Sequence, residues 1–155
     1  MECSASRKYG SMLRAYERFR KINSDAGDPI SLHAARDVAD DFFNHCYHFK
    51  DWLKRDPAIP ELGVEDFINN SQSLSLAADY CNSSKHGGAG RNPKSGKKIE
   101  EANVHTTLNL TAKGFVNSSR LEIIIDGKAY DAFSLASECM KEWDIFLSAN
   151  KIKLL

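Results

Sequence analysis

The chain has 155 residues, 42% of them hydrophobic and 27% charged, with 21 Lys+Arg balancing 21 Asp+Glu. That length suits one domain and buries roughly 70% of its unfolded surface, so the core needs no staple. The composition excludes a disordered chain, and zero net charge excludes indiscriminate nucleic-acid binding while leaving room for a local basic patch.

Residues 5–23 read as a helix, with Met12, Tyr16 and Phe19 at i, i+4, i+7 and Leu13 and Ile22 widening the stripe. Asp25 to Pro29 is a stop and turn, and Ser31 is placed to cap the next helix. That helix, 31–55, carries Ala35, Ala39, Phe42, Cys46, Phe49 and Leu53 at alternating steps of four and three, a stripe suited to shallow packing in an antiparallel bundle. Asp56-Pro57 and Pro60 end it. A third helix is expected over 64–84, with Val64, Phe67, Ile68, Leu74, Ala78 and Cys81 on one face and the polar Ser71 interrupting it.

Beyond a glycine-rich loop at 87–98 the period changes. Val104, Thr106, Leu108 and Leu110 alternate with His105, Thr107 and Asn109 as in a half-buried strand. Leu121–Ile125, Asp126-Gly127 and Lys128–Phe133 read as a hairpin, because Asp-Gly suits a turn with two positive φ angles. Ser134 is expected to cap a last helix to about residue 149, with Leu135, Cys139, Met140, Trp143, Phe146 and Leu147 as its apolar side. The fold class expected is mainly α. An antiparallel helical bundle (5–86) is followed by the loop, a small C-terminal antiparallel β-sheet (103–133) and a final helix (134–149), all in one domain. The sheet is too small to stand alone and should pack on the bundle.

The cysteines, Cys3, Cys46, Cys81 and Cys139, form no CxxC pair. Cys46, Cys81 and Cys139 fall on apolar helical positions, where a free thiol acts as a small hydrophobe. Met1-Glu2-Cys3-Ser4 has no apolar run, and no segment approaches the ~18 apolar residues of a membrane span. The expectation is a reduced, cytoplasmic protein without membrane contact.

Three constellations carry chemistry. The first is Asn82, Ser84, Lys85 and His86 at the end of the third helix. An imidazole exchanges protons near neutrality, and Lys and Asn hold phosphates or orient a substrate. Lys and His also simply suit a helix C-terminus. The second is Asp41, His45, His48 and Trp52, a stripe beside the core stripe of the second helix, with Asp51 three residues after His48. The expectation here is a hydrogen-bonded His48–Asp51 pair; a transition-metal site at His45 and His48 is the weaker alternative, since no HExxH is present. The third is the loop Gly87–Lys98. From Lys85 onward it holds five basic residues (Lys85, Arg91, Lys94, Lys97, Lys98) and no acid. It is neither a Walker loop nor a Rossmann turn. Its cations suit phosphate contacts, and the same composition suits a solvated loop.

With Cys46-Tyr47-His48-Phe49-Lys50-Asp51-Trp52 and Asn82-Ser83-Ser84-Lys85-His86 in view, the chain resembles the HEPN-like helical-bundle class over about residues 31–90. Within it, the resemblance is to small bacterial proteins with a CYHxKDW helix and an NxSKH helix end. That class comprises nucleotide-binding and ribonuclease domains of prokaryotic toxin–antitoxin and defence systems. The resemblance implies a homodimer with a composite, metal-independent site. His86 takes the acid/base place and Asn82 the polar place, with His48 and Asp51 joining the site. Cys81 stands where the class has an Arg, and a neutral thiol makes no bidentate phosphate contact. Lys85 or Arg91 would then compensate, or the protein binds without cleaving. The ligand expected is RNA or a nucleotide, held by Lys85, Arg91, Lys94, Lys97 and Lys98, with no cofactor and no metal. The alternative is a non-enzymatic subunit whose partner is another protein: a toxin partner or a defence-complex scaffold.

Overall fold

The computed structural model describes residues 4–22, 31–85 and 92–154. Five helices and three strands follow in the order α1 (Ala5–Ile22), α2 (Leu32–Arg55), α3 (Val64–Asn70), α4 (Gln72–Lys85), β1 (Ile99–Thr111), β2 (Gly114–Ile125), β3 (Lys128–Asp131) and α5 (Ala132–Ala149).

The stripe on α2 organises the bundle. Ala35, Ala39, Phe42, Cys46, Phe49 and Leu53 are all buried. α1 runs antiparallel to it: Tyr9 meets Phe49 (ring centroids 5.7 Å apart), Tyr16 meets Phe42 (5.8 Å), and Asp56 accepts the Ala5 backbone N–H. α4 is antiparallel to α2 on its other side, since Tyr80 packs on Phe43 while Ser73 lies level with Cys139 and Cys46. α5 closes the core with Trp143, fully buried, its indole N–H donating to the Cys46 sulfur at 3.3 Å. Cys46, Cys81 and Cys139 are buried thiols outside any disulfide, and burial pushes the Cys139 thiol up. Among the described residues no helix is long and apolar enough to cross a membrane.

Two helix boundaries differ from expectation. The third helix is two helices, α3 and α4, broken at Ser71. That residue is extended (φ −98°, ψ 118°), ends α3, and caps α4 by accepting the Leu74 N–H through its hydroxyl. The polar interruption in the apolar stripe is therefore a corner. It lets residues 73–81 be buried almost all round, as the middle of the bundle. α5 begins at Ala132, capped by Asp131 and not by Ser134: Asp131 accepts both the backbone N–H and the hydroxyl of Ser134. Aspartate is the stronger acceptor for those orphan N–H groups. Ser31 caps α2 as expected, accepting the Ala34 N–H.

The strands form one antiparallel sheet, β1-β2-β3. Asp126 (φ 48°) and Gly127 (φ 76°) make the turn between β2 and β3. Leu121, Ile123 and Ile125 bury the sheet's inner face against the bundle. β1 and β2 extend further than the alternation indicates, pairing from Ile99 with Ile125 out to Thr111 with Gly114. Asn117, Ser118, Ser119 and Arg120 lack strand-like hydropathy, but their backbones complete the ladder opposite Leu108 to His105. At the far end Leu110 is 74% exposed.

Candidate functional site

His86 and Arg91 lie outside the described residues. Of the other positions singled out above, His48 and Asp51 pair as expected, with Asp51 Oδ2 3.1 Å from His48 Nδ1 and both side chains over a third exposed. Asn82 is half-buried on α4. The C-terminal end of α4 meets α2 nearer Asn44 than His48. Asp40, Asp41, Asn44, Tyr80, Cys81 and Ser84 line a cavity of about 350 Å³ there, and the Cys81 thiol faces Asn44 Oδ1 at 3.8 Å. Asn44 lies one helical turn, about 6 Å, before His48.

Cys81 is buried beside α2 and borders that cavity.

Of the stripe Asp41, His45, His48 and Trp52, all but His48 meet α1. Lys8 donates to His45 Nδ1 at 2.8 Å and stands 6.0 Å from the centre of the Trp52 ring. Because Nδ1 accepts, the ring proton sits on Nε2, 3.4 Å from Asp41 Oδ1. Asp41 is also paired with Arg18. Burial, then the Lys8 charge, lowers the His45 pKa. The two imidazoles thus serve different partners. Among the described residues no three His, Cys, Asp or Glu side chains converge as metal ligands would.

Residues 94–98 of the basic loop are fixed in place by an acid inside the apolar face of α4. Asp79, 5% exposed on α4, accepts the Lys94 N–H at 2.7 Å, the Ser95 N–H at 2.9 Å and the Ser95 hydroxyl. A buried carboxylate is stable only when so satisfied. Ser95 Oγ in turn accepts the Lys97 N–H, and Asp126 Oδ1 accepts the Lys98 N–H at 2.9 Å. Residues 94–98 are therefore tied to α4 at one end and to the β2–β3 turn at the other.

This anchoring directs Lys94 back toward α3, where its ammonium donates to Asn69 Oδ1 at 3.1 Å and lies 3.9 Å from Glu65 Oε2. Lys50 donates to the same carboxylate at 2.9 Å, and Lys54 also bonds to it. Three ammonium groups thus surround one carboxylate, leaving a local excess of positive charge. Burial raises the Glu65 pKa, but hydrogen bonds from Lys54 and Lys50 outweigh it and bring the pKa down to about 2. Burial alone would lower the Lys50 pKa; its bonds to Glu65 and Tyr47 hold it above the ordinary lysine value. Lys50 also lies 4.4 Å over the Tyr47 ring, and Tyr47 lies 5.2 Å from the His48 ring. A surface therefore runs from Lys94 and Lys54, over the ammonium of Lys50 (8% exposed) beneath them, to Tyr47, His48 and Asp51. Of the expected phosphate contacts, Lys94 belongs to this surface. Lys97 is half-buried and Lys98 exposed a few residues on. Lys85 sits at the far end of α4.

Lys50, Lys54 and Tyr47 were missed because each reads in the sequence as an ordinary polar position of an amphipathic helix. Asp79 had one available signal: an acid inside an otherwise apolar and small-residue run, 73–81, needs donors from elsewhere. No protein-family model, no curated protein and no solved structure matches the chain.

Proposed function

We propose that the protein is a HEPN-like module that binds RNA or a nucleotide on the outer face of α2, with a homodimer as its working form. One observation supports this reading above the others: the cluster of Lys50, Lys54 and Lys94 beside the Tyr47 and His48 rings. Sequence-tolerant single-strand binding needs cations for the phosphates and ring faces for the bases, side by side. Asp79 contributes by holding the loop so that Lys94 joins residues 40 and more positions earlier in the chain. Where cleavage accompanies binding, His86 is the proton-transfer group and Asn82 orients the substrate, while the His48–Asp51 pair borders the same surface.

The test is binding of a fluorescent single-stranded RNA at low salt, followed by anisotropy. Wild-type protein binds, and Lys54→Ala/Lys94→Ala binds at least about tenfold more weakly, each phosphate contact being worth of order 1 kcal/mol. Equal affinity in the two proteins removes this surface from consideration.

A second reading, a non-enzymatic protein-interaction subunit of a toxin or defence complex, is favoured by the β1–β2 arm. Its register sets Leu110 opposite Phe115 on the face that carries Leu121 and Ile123 at the base. Leu110 is 74% exposed there. An apolar position at the end of a long hairpin suits contact with another protein. Leu110→Asp would weaken such an assembly without altering RNA affinity.

A further inference from the structure

We infer that Lys8 is an amine nucleophile for carbonyl compounds, with His45 as its base and Asp41 linking that base to the α2–α4 cavity. The arrangement is that of a nucleophile, a base and an orienting carboxylate. Lys8 Nζ is 2.8 Å from His45 Nδ1, and His45 Nε2 is 3.4 Å from Asp41 Oδ1. A carboxylate beside the second nitrogen favours the tautomer that leaves Nδ1 free to accept, and it offsets the charge the ring gains with the proton. Asp41 belongs to both the relay and the cavity of about 350 Å³ lined also by Asp40, Asn44, Tyr80, Cys81 and Ser84. The Trp52 ring bounds the amine on its other side.

The electrostatics agree with the geometry. Burial lowers the Lys8 pKa; Asp41 and Asp51 of α2 and Cys81 of α4 oppose that shift, and the result remains below the ordinary lysine value. Burial first, then the charges of Lys8, Arg18 and Arg14 of α1, keep the His45 pKa low against the opposing charge of Asp41. The ring is therefore neutral at pH 7 and free to accept a proton.

The step balances without an added oxidant or reductant. The Lys8 nitrogen attacks the carbonyl carbon and forms a C–N bond. The nitrogen gives up its two protons in turn, each passing through His45 Nδ1 to the former carbonyl oxygen. That oxygen leaves as water when the C–O bond breaks, the nitrogen lone pair forms the second C–N bond, and the neutral imine remains. The carboxylates and amide lining the cavity accept and donate hydrogen bonds. They suit an uncharged aldehyde or ketone bearing hydroxyl groups better than an anion.

The test is reductive trapping of the full chain at pH 7 with glycolaldehyde and sodium cyanoborohydride, reading each lysine by peptide mass spectrometry. Lys128, exposed at the β2–β3 turn, is the internal reference. Lys8 is expected to be modified at least about threefold faster than Lys128, because a lower pKa leaves more free amine. A Lys8 rate equal to or below that of Lys128 overturns the proposal, and this comparison needs no variant to fold. His45→Gln removes the proton acceptor and lowers the Lys8 rate relative to that of Lys128; an unchanged ratio overturns the role of His45. Asp41→Asn moves the Lys8 pH profile toward lower pH, since a charge that favours the ammonium is gone. It also lowers the plateau, since His45 loses its orienting partner. A purely structural Asp41 would move neither.

Discussion

Asp79 and Ser95 are joined twice, the Ser95 backbone N–H and hydroxyl both donating to Asp79 Oδ2. The backbone at Lys94 and Ser95 is thereby tied to α4, and the Lys94 ammonium is delivered to Glu65, across from Lys50 and Lys54. The position of the cationic surface depends on a buried acid that is not itself part of it.

Asp79→Asn replaces one acceptor oxygen with an amide that points donors at donors. The expected loss is about 1.5–3 kcal/mol, the range for a hydrogen bond to a charged group. Urea unfolding measures it, and amide exchange at Lys94 and Ser95 should accelerate more than at the Trp143 amide. Unchanged stability with unchanged exchange at 94–95 would show that the loop is held by something else.

Phe42 is fully buried between Tyr16, Phe19 and Phe43, with centroid distances of 5.8, 6.2 and 5.2 Å. Phe42→Ala should cost roughly 3–5 kcal/mol through lost burial and the cavity left behind. A thermal midpoint equal to that of the wild type would contradict the packing of α1 on α2.

Glu65 gives the lysine cluster a pH signature. Its folded pKa of about 2 lies below the ordinary carboxylate value of 4.5, so its contribution to stability is fully present above pH 4.5. That contribution is lost as pH falls from 4.5 toward 2. Its side chain is 39% exposed, so screening keeps the effect small. Glu65→Gln should flatten the stability–pH curve in that window. The same substitution frees Lys50, Lys54 and Lys94 from a competing anion, so RNA affinity at pH 7 should rise. A purely structural ion network predicts a fall in stability and no change in affinity.

The helices could be read directly because their apolar residues recur at helical spacing. Met12, Phe42, Cys46 and Trp143 sit in the core where that spacing puts them. The Asp126-Gly127 turn was legible for a similar reason, a local rule with one conformational answer. Other features depend on contacts remote in sequence. Ser71 marks a corner because α4 must turn into the bundle, and Asn117–Arg120 form a strand because β1 offers a ladder. Of the site, the His48–Asp51 pair follows from i, i+3 spacing on one helix. The Lys8–His45 contact spans 37 positions and the Lys94–Asp79 contact 15, and no periodicity encodes either. Lys50 and Lys54 look like any solvated helix cations until α3 presents Glu65 between them.

The central claim, that the lysine cluster meets phosphates, is tested most directly by the salt dependence of RNA binding. Each phosphate neutralised on a single strand contributes about −0.7 to the slope of log K against log salt. Lys50 is 8% exposed and held by Glu65 and Tyr47, so contacts from Lys54 and Lys94 set the wild-type slope at about −1.4, which Lys54→Ala/Lys94→Ala should bring near zero. A wild-type slope near zero, or one that the double substitution leaves unchanged, would contradict the account.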